Sequence, residues 1–243
     1  MLPDPPHKRE GMPAMLRTLL SILVMIGACA SSSVAEAGRT LLSSFERTPE
    51  GWHVYDYNGG IDGGGNVFYP VTWQKTGGVG NSGFVWADDS RWRIDLPEQP
   101  NSILAFILYR RWAPGDQPFT VKTSPGGELD LRNAEVSVYL RGDGLDLKGA
   151  KCYFWVFSSN GSARWHFISS PLEVSSGKWG SPQRFVLKND ETLWHRTWSP
   201  SRPVSLDEVL SKGNSYGFSF LGFSGEVTGR ISMDELAIKL VSK

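Results

Sequence analysis

Cysteine is scarce in this sequence: its 243 residues include only Cys29 and Cys152. Cys29 lies in a leader segment that we expect to be removed or lipidated, so Cys152 is left alone and no disulfide can form within the chain. Cys152 lies in the strand-like run K-C-Y-F-W-V-F, where a buried, inert thiol is expected rather than a nucleophile. A large core must therefore stabilise the fold, and a bound metal could add to it.

An excess of charge of one sign is also lacking. The chain has 25 Lys and Arg against 25 Asp and Glu, and the first 37 residues hold three of each sign, so the remainder is neutral too. Binding to the phosphates of a nucleic acid requires a basic surface. The composition therefore argues against nucleic acid as the partner.

Long hydrophobic runs are missing, and the first 37 residues contain no aromatic side chain of the Phe, Trp or Tyr type. The apolar run Leu19–Ala30 has twelve residues, too few to cross about 30 Å of hydrocarbon as a helix. Lys8, Arg9 and Arg17 precede or open it, as in the basic region of a secretory signal. We therefore predict that residues 1–37 form an export signal and that residues 38–243 form a single domain.

Two cleavage sites are compatible with this leader. Ala35-Glu36-Ala37 is an A-x-A site that would leave Gly38 as the first residue. Ile26-Gly27-Ala28-Cys29 instead resembles a bacterial lipobox, in which Cys29 would carry the lipid and form the only attachment to a membrane. Both readings predict export, to the periplasm, to the outer membrane as a lipoprotein, or to the medium.

Familiar catalytic motifs are absent from the sequence. It has no nucleophile elbow, no HExxH and no glycine-rich phosphate loop, and His53, His166 and His195 lack the spacing of a zinc site. Neighbouring carboxylates such as Asp88-Asp89 cannot face each other across a cleft, as glycoside hydrolysis requires. The sequence favours a non-catalytic protein, although a β-sandwich lyase that uses His166 with Tyr109 or Tyr139 stays open.

What the chain does contain, from Gly38 onward, is a β-pattern of short apolar and β-branched runs between clusters of turn residues. Val136, Val138 and Leu140 alternate with polar neighbours, as in a strand with one buried face. Ser205–Ser211 is the one helical turn, with Ser205 as N-cap and Glu208 three residues later. This pattern predicts an all-β fold, an antiparallel β-sandwich of the jelly-roll type. The predicted strands are Thr40–Phe45, Trp52–Tyr57, Val67–Gln74, Gly83–Ala87, Ile103–Tyr109, Ala134–Arg141, Lys151–Ser158, Arg164–Ser170, Gln183–Leu187, Ser215–Gly222 and Arg230–Leu240.

The two ends of the exported part carry short motifs. The first strand runs into S-F-E-R-T-P-E-G-W at residues 44–52, and the last reads G-R-I-S-M-D-E-L-A-I at residues 229–238. The apolar alternation of the last strand slips at Asp234-Glu235, which predicts a β-bulge. These motifs resemble those of the calcium-containing, galactose-binding-like sandwiches that are common among carbohydrate-binding modules of secreted bacterial enzymes.

This resemblance implies a galactose-binding-like sandwich in which the first and last strands pair. Glu46 and Asp234 would then be side-chain ligands of one Ca²⁺, with backbone carbonyls from the loop Gly80-Asn81-Ser82. Hard oxygen ligands from distant segments suit Ca²⁺, which accepts six to eight of them. The alternative is that the two carboxylates lie at the rim and pair with Arg47 and Arg230.

Ten Trp residues lie between positions 52 and 198. Their rings can fill a core or stack on sugar rings, and we assign Trp52, Trp155 and Trp179 to the core. Three clusters combine aromatic rings with the planar polar groups that bind sugar hydroxyls: W-A-D-D-S-R-W at 86–92, Y-R-R-W at 109–112 and W-H-R-T-W at 194–198. The candidate sugar-binding residues are Arg91, Trp92, Tyr109, Trp112, Trp194 and Trp198.

Together these features predict an exported, non-catalytic carbohydrate-binding protein that binds a polysaccharide or other glycan. Two alternatives remain. One is a polysaccharide-processing enzyme, a lyase or glycoside hydrolase, on a jelly roll. The other is a structural or interaction domain of the cell envelope.

Overall fold

A computed structural model describes residues 38–56, 67–89, 103–111, 128–198, 203–225 and 227–241. At strand positions 55–56, 67–69, 103–111 and 198 the description is of the backbone. The predicted leader 1–37, with Cys29 and both cleavage sites, lies outside the described residues.

Within the described residues, fourteen strands form two sheets of seven strands each, and every strand pair there is antiparallel except the short pair β10–β7. Sheet A contains β1 Thr40–Ser43, β4 Thr72–Gln74, β5 Phe84–Asp88, β7 Glu135–Asp146, β10 Ser175–Ser176, β11 Gln183–Val186 and β14 Thr228–Lys239. Sheet B contains β2 His53–Asp56, β3 Val67–Pro70, β6 Ile103–Arg111, β8 Lys151–Ser158, β9 Ala163–Leu172, β12 Trp194–Trp198 and β13 Ser215–Leu221. The predicted all-β sandwich is confirmed.

The core lies between the two sheets. Sheet A contributes the alternating residues of β7, since Val136, Val138 and Leu140 are buried. Sheet B contributes aromatic rings, among them Phe154 and Phe218, whose centroids are 5.4 Å apart. The Cys152 thiol is buried in this core, and burial raises its pKa far above the ordinary value. That environment is the one predicted for an inert thiol.

The one α-helix in the described part of the chain, α1 Leu206–Ser211, begins where the sequence predicted. The hydroxyl of Ser205 accepts a hydrogen bond from the backbone N–H of Glu208, which is the N-cap contact expected from the spacing of the two residues. No helix in the described part of the chain is long and apolar enough to span a membrane.

Two strand predictions needed correction. The run Val67–Gln74 is split: β3 ends at Pro70 in sheet B and β4 begins at Thr72 in sheet A. Proline lacks the N–H that a continuous ladder requires, so the chain leaves one sheet there and enters the other. The segment Trp194–Trp198, read as irregular because Ser and Pro flank it, is strand β12 and pairs with β9.

The first and last strands pair, as the end motifs implied. Thr40 is opposite Lys239 and Ser43 is opposite Leu236. The register of β14 against β7 shifts between Asp234 and Ala237, and Glu235 has a positive φ of 48°. The bulge predicted at Asp234-Glu235 is therefore present, and it turns this end of β14 toward the loop before β5.

Candidate functional site

A stripe of three aromatic side chains runs along β8 on the outer face of sheet B. Phe154 and Val156 point into the core, so alternation directs Tyr153, Trp155 and Phe157 to the opposite face. Their Cα atoms are spaced by about 7 Å along the strand. Tyr153 and Phe157 are half-buried, whereas Trp155 is buried without belonging to the core between the sheets. We call these three residues the β8 stripe.

Beside the β8 stripe, the neighbouring strand β13 presents small residues on that face. Ser215, Gly217 and Ser219 lie opposite Phe157, Trp155 and Tyr153 of the β8 stripe. All three residues are buried. On its far side the same three positions are in register with Arg111, Tyr109 and Ile107 of β6. We call Ser215, Gly217 and Ser219 the β13 trough.

His166 lies on β9, which flanks β8 on the side opposite β13. It is fully buried. Its Nε2 lies 2.5 Å from the hydroxyl of Ser219, and its Nδ1 lies 2.9 Å from the hydroxyl of Thr197. Burial, followed by the charges of Arg164 and His195, lowers the pKa of His166 well below its ordinary value. The imidazole is therefore neutral, and hydroxyl groups accept or donate at both of its nitrogens.

Strand order gathers residues that are far apart in sequence. All three histidines that follow the leader occupy one cross-strand row of sheet B, together with one of the predicted sugar-binding residues. From one edge to the other the row reads His53, Tyr109, Gly217, Trp155, His166 and His195. The row supplies imidazole and aromatic groups beside the β8 stripe.

The two proposed lyase pairs are not brought together. Tyr109 and His166 are three strand spacings apart in the row, which is about 14 Å between Cα atoms. Tyr139 is in β7 of sheet A, the sheet on the other side of the core. These strand positions do not bring either pair together for one proton transfer, which needs contact at hydrogen-bond distance.

The predicted sugar-binding residues fall into three groups. Tyr109 and Trp198 both lie on sheet B, where Tyr109 is in register with Gly217 and Trp198 with Arg164. Arg91, Trp92 and Trp112 lie outside the described residues.

Trp194 is corrected to a core residue. Its side chain is 5% exposed, its Nε1 donates to the Lys188 carbonyl at 2.8 Å, and its ring packs edge-on against Phe167 at 5.1 Å. A ring held in this way has no face left for a sugar. The next residue in the chain, His195, belongs to the histidine row and is exposed.

The three tryptophans that the sequence assigns to the core lie in different environments. Trp52 is a fully buried core residue, as predicted. Trp155 is buried, but on the outer face of sheet B. Trp179 is half-buried, with the guanidinium carbon of Arg141 at 4.5 Å from its ring centroid.

Asp234 lies at the junction of the chain ends and is fully buried. Its Oδ2 accepts hydrogen bonds from Val79 N–H at 2.8 Å and from the Ser82 hydroxyl at 2.7 Å, and its Oδ1 accepts from Glu235 N–H at 2.8 Å. Burial raises the pKa of Asp234 to about 6, and these hydrogen bonds offset part of the rise.

The loop predicted to accompany Asp234 is therefore in place, but it presents donors to the carboxylate. The carbonyl oxygens of Gly78, Val79 and Ser82 accept hydrogen bonds within the loop, and Glu46 is exposed. In the described part of the chain no three His, Cys, Asp or Glu side chains lie together so as to hold a metal ion. Ca²⁺ needs converging oxygen ligands, and these contacts leave calcium at Glu46 and Asp234 as a prediction.

The alternative ion pair for Asp234 is not formed either. The guanidinium group of Arg230 binds Asp143, with its Nε at 3.1 Å and its Nη2 at 2.8 Å from Asp143 Oδ2.

No protein-family model matches this sequence, and no curated protein matches it at a significant level. Among solved structures, the fold is similar to the CBM22-1 and GH10 modules of endo-1,4-beta-D-xylanase 10B of Clostridium thermocellum, complexed with xylohexaose, with a TM-score of 0.41 and 11% identity. That match covers 83% of this chain and 28% of the xylanase chain, so this chain spans under a third of it.

Two other solved structures are similar with comparable TM-scores and sequence identities. The family 11 carbohydrate-binding module of Clostridium thermocellum, in complex with a mixed-linked tetrasaccharide, gives a TM-score of 0.37 and 9% identity, covering 87% of this chain and 94% of that one. The L4b domain of human laminin alpha-2 gives 0.41 and 9%, covering 84% and 98%.

Proposed function

We propose that this protein is an exported, non-catalytic glycan-binding protein whose sugar site is the outer face of sheet B. The observation that carries the proposal is the β8 stripe. Three aromatic side chains on alternate positions of one strand point away from the core, beside a trough of small residues. A strand that only packed a sandwich would place its rings inside.

The physical basis is the match between aromatic rings and sugars. The C–H face of a pyranose complements the negative face of an aromatic ring, and Tyr153 and Phe157 are the two half-buried rings that could present such a face. Sugar hydroxyls also need a few placed polar groups. Arg164 is on this face through its pairing with Phe157, and the exposed His195 lies at its β12 edge.

Export is the second part of the proposal. The basic region and short apolar run of residues 1–37 support it, and Cys29 offers a lipid tether that would hold the binding face close to a membrane. A protein of this kind would collect or retain glycans at the cell surface without cutting them.

Replacing the half-buried rings of the β8 stripe tests the sugar site. We expect Tyr153→Ala and Phe157→Ala each to weaken binding to the preferred polysaccharide of a glycan array about tenfold, or about 1.4 kcal/mol, because each removes a stacking surface. Affinity electrophoresis of the purified variants measures this. Leu42→Ala is the control, since Leu42 is 56% exposed and lies in sheet A. Unchanged polysaccharide binding in both Tyr153→Ala and Phe157→Ala would contradict a sugar site at the β8 stripe.

One observation favours the enzyme alternative: the hydroxyl of Ser219 lies 2.5 Å from His166 Nε2, within the range of a nucleophile and its base. Both residues are fully buried, and Thr197 rather than a carboxylate orients the imidazole. The pair therefore suits a structural role better. Release of reducing or unsaturated ends from bound polysaccharides, abolished in Ser219→Ala, would establish the enzyme instead.

Calcium at Glu46 and Asp234 stays a prediction, and it would require the loop 78–82 to turn carbonyl oxygens toward Asp234. Its test is a thermal melt of the purified protein with added Ca²⁺ and with a chelator. A bound ion stabilises the folded state by mass action, so the midpoint should fall in the chelator and should fall less in Glu46→Gln. A midpoint that the chelator leaves unchanged contradicts the prediction.

A further inference from the structure

The outer face of sheet A carries a second group of aromatic side chains, on the opposite side of the sandwich from the β8 stripe. In β5 the core residues Val85 and Ala87 alternate with Phe84 and Trp86, so the latter two face outward. Trp179, from the loop between β10 and β11, packs edge-on against Phe84 at 5.6 Å. Trp86 and Trp179 are both half-buried and present part of their rings to solvent.

Two arginines hold these tryptophans in place. The guanidinium carbon of Arg230 lies 4.8 Å from the ring centroid of Trp86, and that of Arg141 lies 4.5 Å from the ring centroid of Trp179. Asp143 joins the two arginines, because its Oδ2 is 2.8 Å from Arg230 Nη2 and 3.3 Å from Arg141 Nη2. Both rings and both planar charged groups are therefore fixed before any ligand arrives, which lowers the entropy cost of binding. We call these five residues the arginine–tryptophan face.

Two buried polar atoms beneath this face lack a hydrogen-bond partner within the described residues: the hydroxyl of Ser232 and Nε of Arg141. The two residues are directly paired across β14 and β7, and Ser232 is also paired with Trp86. Buried polar atoms are nearly always satisfied in native proteins. Because both atoms are buried, a ligand hydroxyl would reach them only if the side chain of Arg141 or Trp86 shifts.

The charges of this face indicate which class of glycan it fits. Arg141 and Arg230 carry two positive charges, and Asp143 and Asp88, the residue in register with Arg230, carry two negative ones. Because both guanidinium groups of the arginine–tryptophan face bind Asp143, neither is free for a uronate or a sulfate. Its hydrogen-bonding edges and aromatic rings suit uncharged sugars.

We propose that the arginine–tryptophan face is a second glycan-binding site, separate from the β13 trough and selective for uncharged polysaccharides. The proposal rests on the proposed function only for the class of ligand. With sites on both outer faces of the sandwich, one molecule would bridge two glycan chains.

The test is a calorimetric titration with the hexasaccharide of whichever of β-glucan, xylan or mannan the protein binds. Wild type is expected to bind two oligosaccharides per chain. Trp86→Ala and Trp179→Ala are each expected to reduce this to one, and Tyr153→Ala with Phe157→Ala is expected to remove the other. Leu42→Ala, which alters the same face of sheet A away from the cluster, should keep both.

The outcomes separate the two sites. One oligosaccharide per chain, lost in the β8 stripe variant and kept in Trp86→Ala and Trp179→Ala, overturns the second site and leaves the proposed function intact. One oligosaccharide lost only with the two tryptophans overturns the site on sheet B and supports the arginine–tryptophan face. No binding of any glycan by wild type overturns both.

A second pair of variants covers the case in which Trp86→Ala does not fold. Trp86→Tyr keeps a stacking ring and should retain the second site with no more than a fivefold loss of affinity. Asp143→Asn leaves two guanidinium groups without their carboxylate, so it should bind polygalacturonate at least fivefold more tightly than wild type. No gain for polygalacturonate in Asp143→Asn, with two oligosaccharides still bound by Trp179→Ala, overturns the proposal.

Discussion

Trp52→Ala is expected to lower the free energy of unfolding by about 3–5 kcal/mol, the usual cost of removing a large buried aromatic side chain. Trp52 is fully buried and packs against three other aromatic rings. Its ring centroid lies 6.4 Å from that of Phe45, 5.9 Å from that of Tyr216 and 6.4 Å from that of Phe218. Its Nε1 also donates to the Ser43 hydroxyl at 3.3 Å. The residue therefore joins strand β1 of sheet A to the rings of sheet B.

Urea unfolding of wild type, Trp52→Ala and Trp52→Phe measures this effect. Trp52→Phe keeps most of the ring contacts and loses the bond to Ser43, so its loss should be less than half as large. Leu42→Ala removes an exposed side chain from the adjacent strand and should change stability by no more than about 0.5 kcal/mol. A loss below about 1 kcal/mol in Trp52→Ala would show that the two sheets do not depend on this contact.

Strands β7 and β14 and the turn before β2 could be predicted from the sequence because their signals are local. Val136, Val138 and Leu140 alternate strictly with polar residues, and the phase of the last strand slips visibly at Asp234. The turn that delivers Trp52 to the core is marked by Pro49 and Gly51, and Gly51 has a positive φ of 74°, which glycine adopts without strain.

The β8 stripe could not be predicted in the same way. Phe154, Trp155 and Val156 are all apolar, so the alternation that separates a buried face from an outer one disappears. The run therefore predicts a core position for Trp155, which is fully buried but lies on the outer face of sheet B. Trp179 is likewise predicted to be a core residue. It lies in a loop beside Gly177 and Gly180, where no strand alternation indicates which way a side chain points.

The row of histidines depends on information that no local pattern contains. Strands β12, β9, β8, β13, β6 and β2 are neighbours in that order, and the register of each pair decides which residues meet. His53 and His195 occupy the same row only because five successive pairings align. A sequence gives the residue types in such a row, whereas strand order and register bring them together.

Asp234 is expected to make the protein less stable as the pH rises from 4 to 7 in the presence of a chelator. Burial raises its pKa in the folded state from 3.8 to about 6, so folding favours the neutral carboxyl. The resulting stabilisation is complete below pH 4 and is lost as the pH rises through about 6. A difference of about 2 pKa units corresponds to about 3 kcal/mol at neutral pH.

The hydrogen bonds around Asp234 supply a structural reason for the neutral form. The Ser82 hydroxyl lies 2.6 Å from the Val79 carbonyl and 2.7 Å from Asp234 Oδ2, yet it has one proton to donate. When Asp234 is protonated, its own proton satisfies the contact with Ser82, and the Ser82 proton is free to bind Val79. When Asp234 is ionised, one of these two short contacts has no proton.

Comparison with Asp234→Asn isolates this effect. His166 is also buried, and its lowered pKa makes both proteins less stable as the pH falls, so the histidine contribution cancels in the difference between them. That difference, from urea unfolding between pH 4 and 7, should favour wild type most at pH 4 and decline by about 3 kcal/mol by pH 7. Glu46→Gln, at the same edge but exposed, should follow wild type. A difference that stays constant with pH, or grows toward neutral pH, would mean that Asp234 is held ionised by a partner such as a cation.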